Sequence, residues 1–193
     1  MAWDTFHEIG RKIIHITILI VILIYNFIQD SYGKQLALLF LVSLLILFLV
    51  LEYFRLELGW KMPFFSQFIR PKEQNRMYGV IYFLSATIIS LAVFDYKIAL
   101  AALLMTTFGD MVAALVGRKY GTTLIYRNKT WAGFLAELAI NLIVGFIILD
   151  NIYIILGMSF VATIVETLVD ELDDNLLIPI FAGFAGQIIL LSL

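Results

Sequence analysis

Five acids crowd into the ten residues ETLVDELDDN: Glu166, Asp170, Glu171, Asp173 and Asp174. Capping a helix uses one or two such side chains, not five. Steps of four and three put Glu166, Asp170 and Asp173 on one face of a helix end, and Asp174 and Asn175 stand where the next apolar run begins. Carboxylates at this density suit Mg²⁺, which takes carboxylate oxygens together with substrate phosphates. The competing explanation is capping plus ion pairs with nearby bases.

A second stretch is FGDMVAALVGRKYG, Phe108 to Gly121. Asp110, Ala113, Gly117 and Gly121 recur at steps of three and four, so they share one helical face. Small residues leave that face bare, open to a ligand or a second backbone. Asp110 falls about two turns from the end of its apolar run, where an ionised acid still costs free energy. A packing seam with Asp110 paired to a base explains the same residues.

RKYGTTLIYRNKTWAG follows, Arg118 to Gly133. Read as one loop, it gathers four cations with glycines and the hydroxyls of Thr122, Thr123 and Thr130. Glycine-rich backbone with lysine can cradle phosphate. Thr130 sits where the next apolar helix begins, so free amides add to an anion site there. Neither GxxxxGK[ST] nor GxGxxG occurs in the chain. A basic loop alone is explained by membrane topology.

Two further stretches carry polar groups. In HEIGRKIIH, Glu8, Arg11, Lys12 and His15 are spaced for one helical face, and Glu8 pairs with Lys12 in the favourable order. His7 and His15 lack metal-site spacing. Glu137, with Asn141 one turn on, is an acid inside an apolar run; helix–helix hydrogen bonding explains it as well as a site does.

The elements that must position these groups are membrane helices. The chain has 193 residues, 62% hydrophobic and 15% charged. Soluble domains run at roughly 45–50% and about 25%. The net charge of −2 and scarce polar surface argue against nucleic-acid binding. Without cysteine there is no disulfide, thiolate metal site or cysteine nucleophile. An all-α polytopic fold is expected, with seven spans near 13–29, 35–54, 77–94, 97–117, 132–149, 151–169 and 176–193. The first run lacks a small-residue cleavage site and reads as a retained span. Eleven of the 13 Lys+Arg fall on one side of this array, which makes that side and the N-terminus cytoplasmic. The sequon at Asn128 is then on the wrong side for glycosylation. Residues 58–79, too mixed to span, fit an interfacial helix. A single membrane-embedded domain is expected over residues 1–193.

Together these stretches resemble the dolichol kinase, phytol kinase and CTP-dependent diacylglycerol kinase family. The main resemblance is to the family's D-x-x-A-x-x-x-G-x-x-x-G followed by K-T-x-E-G: Asp110, Ala113, Gly117 and Gly121 match in register, then Lys129, Thr130 and Gly133. EIGRKIIH is similar to the family's opening E-x-x-R-K-x-x-H, and RPKEQNRMYG to a segment with Glu73, Arg76 and Gly79 in place. DDNLLIPI is similar to D-N-L-x-x-P, through Asp174, Asn175 and Pro179. Ala132 departs from the family's glutamate before Gly133.

The resemblance implies a lipid kinase-like domain that transfers the γ-phosphate of CTP, with Mg²⁺, to the hydroxyl of a membrane lipid alcohol, a dolichol, polyprenol or phytol-type prenol. It implies Asp110, Lys129 and Asp174 as catalytic residues. Nucleotide binding falls to Ala113, Gly117, Arg118, Gly121, Lys129, Thr130, Gly133, Arg11, Lys12, Arg76 and Asn175. Metal binding falls to Asp110, Glu166, Asp170, Asp173 and Asp174. The rival readings are a CTP:phosphatidate cytidylyltransferase and, in another class, a small transporter or lipid-binding membrane protein. The expected partners are the lipid alcohol, a nucleoside triphosphate and surrounding lipids. The oligomeric state stays open, a homodimer included. Modest size without an organelle signal points to a prokaryotic plasma membrane.

Overall fold

The structure, a computed structural model, describes residues 19–59, 77–169 and 172–193. Arg11, Lys12, Arg76 and Asp170 lie outside the described residues, as do most of the interfacial segment and the HEIGRKIIH stretch. Seven helices occur among the described residues: α1 (Leu19–Tyr32), α2 (Lys34–Leu56), α3 (Gly79–Val93), α4 (Tyr96–Tyr120), α5 (Trp131–Ile148), α6 (Ile152–Leu168) and α7 (Asp174–Ser192). A short hairpin of β1 (Leu124–Tyr126) and β2 (Lys129–Thr130) precedes α5. Of the helices, α2, α4, α5 and α7 are long and apolar enough to cross a membrane; α1, α3 and α6 are shorter apolar helices. The chain is a helical membrane protein, and its large apolar side chains face outward accordingly, Ile147 and Leu191 among the most exposed.

Two compact units divide the chain at Ile88/Ile89. In the first, Gly33 separates α1 from α2. Its φ of 91° is open to glycine and strained for other residues, and its N–H closes onto the Gln29 carbonyl at 2.9 Å. Near the end of α2, Glu52 is buried and accepts from Arg55 Nε (2.8 Å), Arg55 Nη2 (2.5 Å) and the Tyr78 N–H (3.0 Å).

The second unit is a four-helix arrangement in which α4 packs on α5 and α7, and α6 on the same two. Glycines let these helices approach. A side chain at Gly186 would lie 2.5 Å from Met158 Sδ, and one at Gly145 2.8 Å from Ile155 Cγ2. Each helix start is capped by the residue its sequence supplies. Asp95 accepts from the Lys97 N–H (3.0 Å), Asn151 from the Tyr153 N–H (2.8 Å) and Asp173 from the Asn175 N–H (3.1 Å).

Three details differ from the sequence reading. Arg118 and Lys119 belong to the last turn of α4, where cations favour the helix C-terminus, and not to a loop. Gly121 lies one residue past that helix, in extended backbone, and is not on its face. Glu166 and Asp173 do not share one helical face, because α6 ends at Leu168, Val169 is extended and Asp173 caps the next helix.

Candidate active site

Three helices and one strand bring the chemistry together. Asp110 comes from the C-terminal half of α4, Glu166 from the last turn of α6 and Asp174 from the first turn of α7. One carboxylate oxygen of each lies within 4.8 Å of the other two. Acids eight positions apart in sequence, one ending α6 and one opening α7, thus meet.

Lys129 reaches this cluster from β2. Its ammonium donates to Glu166 Oε1. Burial pulls the Lys129 ammonium down, but the charge and hydrogen bond of Glu166, with Asp174 and Asp110 behind, push it above the ordinary lysine range. Glu166 is 2% exposed, and its second oxygen, Oε2, is buried with no hydrogen-bond partner. A buried carboxylate oxygen without a donor is costly. Together with two more carboxylates in reach, it fits a divalent cation, which prefers such oxygens and completes its shell with phosphate.

The hairpin is what aims Lys129. Its two-residue turn places Arg127 at φ 47°, and Leu124 pairs with Thr130. The Trp131 N–H then closes onto the Thr123 carbonyl at 3.1 Å. Thr130 caps α5 through Oγ1, which accepts the Gly133 N–H at 3.2 Å. The bare face of α4 receives this helix start. A side chain at Gly133 would lie 3.0 Å from the Ala113 carbonyl, and one at Gly117 3.1 Å from Thr130 Oγ1. Ala113 and Gly117 therefore let α5 begin close against α4, and Lys129 follows one residue before the cap.

Asn175 orders the acid side. Its N–H and Nδ2 both donate to Asp173 Oδ1 (3.1 and 2.7 Å) and to Asp174 Oδ1 (3.0 and 3.1 Å). Such second partners fix the direction of a ligand carboxylate. Arg118 sits exposed at the end of α4.

A polar layer continues into the helices. Glu137 is 2% exposed and Asn141 is fully buried. Asn141 Nδ2 donates to Thr163 Oγ1 at 3.1 Å, and Thr163 Oγ1 donates to the Ser159 carbonyl at 2.9 Å. Gly109 makes room, since a side chain there would meet Asn141 Oδ1 at 2.9 Å and Glu137 Cγ at 3.3 Å. Sequence reading offered ion pairs between the 166–174 acids and nearby bases without singling out Lys129 with Glu166, and it missed the Glu52–Arg55 pair. The i,i+3 spacing of Glu52 and Arg55 was a usable signal; for Lys129 and Glu166 there was none.

Comparison with known proteins gives the family. CTP-dependent diacylglycerol kinase 1 of Saccharomyces cerevisiae is 32% identical over 149 residues, covering 72% of this chain and 49% of that protein. Phytol kinase 1, chloroplastic, of Arabidopsis thaliana is 30% identical over 139 residues, covering 61% of this chain and 45% of its own. The chain belongs to the dolichol, phytol and CTP-dependent diacylglycerol kinase family. It spans about half the length of these two lipid kinases. A third relative, the uncharacterized protein RP860 of Rickettsia prowazekii, is 30% identical over 190 residues and matches 92% of each chain. No family model matches the chain. No solved structure gives a significant match.

Proposed function

We propose that this protein is a CTP-dependent kinase that phosphorylates the hydroxyl of a membrane lipid alcohol. The observation that carries the reading is the meeting of Asp110, Glu166 and Asp174, with Lys129 on Glu166. Phosphoryl transfer needs charge neutralisation and alignment more than covalent help. A tight group of acids beside a lysine, at the end of membrane helices, meets that need where a lipid headgroup can reach it.

In the proposed site, Asp110, Glu166 and Asp174 would hold Mg²⁺, which would neutralise charge on the triphosphate when bound. Lys129 holds a phosphate oxygen, with Thr130, Gly133, Ala113, Gly117 and Gly121 forming the adjoining wall. Arg118 supplies further positive charge toward the nucleotide, and the family resemblance assigns Arg11, Lys12 and Arg76, outside the described residues, to nucleotide binding. Asn175 keeps Asp174 turned to the cluster. Asp110 accepts the hydroxyl proton as the lipid oxygen bonds to the γ-phosphorus, and the bond to the β-phosphate oxygen breaks to release CDP. Asp170 and Asp173 are further acids of the proposed metal group, although Asp173 also caps α7.

The single domain is read with seven spans, its N-terminus and this site facing the cytoplasm. Supporting that sidedness, eleven of the 13 Lys+Arg fall on the site's side of the expected span array, and only Lys34 and Lys97 on the other.

The test is CTP labelled separately at the α and γ positions, supplied with Mg²⁺, prenols and diacylglycerol to the purified protein in lipid. Label from the γ position in the lipid, with CDP released, is expected. Label from the α position, seen only with lipid phosphates, would make the protein a cytidylyltransferase. No transfer from either would sink both.

A further inference from the structure

Lys129 occupies the place a metal ion would compete for. Glu166 is buried, one of its oxygens holds the Lys129 ammonium, and the other has no partner. Asp110 and Asp174 complete the group within 4.8 Å. A bare divalent cation entering here meets a positive charge already seated on one of its three ligands.

We propose that these four residues admit a divalent cation together with a triphosphate and disfavour the cation alone, with Lys129 acting as the resident counter-ion that the chelate displaces. This rests on the kinase reading for the identity of the nucleotide. The reasoning follows the fate of the ammonium. When a cation takes Glu166, Lys129 must either stay beside it against repulsion or leave. Its backbone lies in the hairpin, directly before the capped start of α5, so only the side chain can move. Lysine has a flexible stem and three donors for that movement. The nearby acids are then engaged by the cation, so the displaced ammonium needs a new anion. Triphosphate oxygens supply one. Cation and nucleotide thereby strengthen each other's binding, and the coupling is reciprocal. A wild-type site without nucleotide stays closed to free cation by its own lysine.

Equilibrium dialysis of the full chain in nanodiscs tests this, counting Mn²⁺ retained per protein with and without a non-transferable β,γ-methylene analogue of CTP. Wild type is expected to hold bare Mn²⁺ at least tenfold more weakly than Mn²⁺ with the analogue. Lys129→Met is expected to bind bare Mn²⁺ about tenfold more tightly than wild type and to lose the gain from the analogue. Lys129→Arg keeps the wild-type weakness for the bare ion. Equal wild-type affinity with and without the analogue would overturn the proposal, as would unchanged or weaker bare-ion binding in Lys129→Met. Should Lys129→Met fail to fold, Lys129→Gln takes its place, and the wild-type comparison decides by itself. Because binding is read here and not transfer, loss of the kinase reading in the labelling assay leaves this result standing, and the converse holds too.

Discussion

Lys129 on the hairpin and Glu166 at the end of α6 form an ion pair across 37 positions of chain. Glu166 is almost wholly buried, whereas Lys129 keeps 38% of its side chain exposed. The pair therefore joins a fixed buried acid to a base that can still move.

Removing the acids should cost activity before it costs fold. Asp110→Asn, Glu166→Gln and Asp174→Asn are each expected to lower γ-phosphate transfer by about 10²–10³-fold, the usual loss when one preorganised electrostatic group is removed. Any two together should cost far less than the product of the single losses, since they act as a unit. Initial rates, with thermal unfolding in detergent as the folding control, decide this. Near-wild-type rates in all three would remove the cluster from the active site.

Lys129 gives a pH signature with a definite sign. Its pKa is raised in the folded protein, so its contribution to stability is fully present below the unfolded lysine value and disappears as pH rises through the higher folded value. The difference in Tm between wild type and Lys129→Met should shrink as pH rises above about 10. A difference that keeps growing above that pH would contradict the ion pair.

Packing at the start of α5 should be intolerant of volume. A Cβ at Gly133 would lie 3.0 Å from the Ala113 carbonyl, so Gly133→Val should destabilise by about 1–3 kcal/mol and move Lys129 out of reach. Thr130→Ala, which deletes the cap while adding no bulk, should cost about 1 kcal/mol, with Thr130→Ser close to neutral. Thermal unfolding of the three variants provides the check, and Gly133→Val as stable as wild type would refute the close approach.

The Lys97–Asp150 pair is the counter-case. Its side chains are 57% and 84% exposed, so water screens it. Lys97→Ala should leave both Tm and transfer unchanged within error. A marked loss in either would mean that this end of the bundle has a role of its own.

By itself, the sequence determined the membrane character, the apolar helices and their caps, because each depends on near neighbours in the chain. Asp95, Thr130, Asn151 and Asp173 each take up a local hydrogen bond that their position already dictates. The steps between Asp110, Ala113 and Gly117 marked a bare helix face in the same local way. What lies against that face was decided by tertiary structure, which put Thr130 and Gly133 there. Periodicity also misgrouped the acids, since a helical face exists only while the helix lasts, and α6 stops at Leu168. The packing of α6, α7 and α4 set Glu166, Asp174 and Asp110 together. The pairing of Lys129 with Glu166 had no local signal at all. Charges that distant meet only because helix packing and a short hairpin carry them to one place.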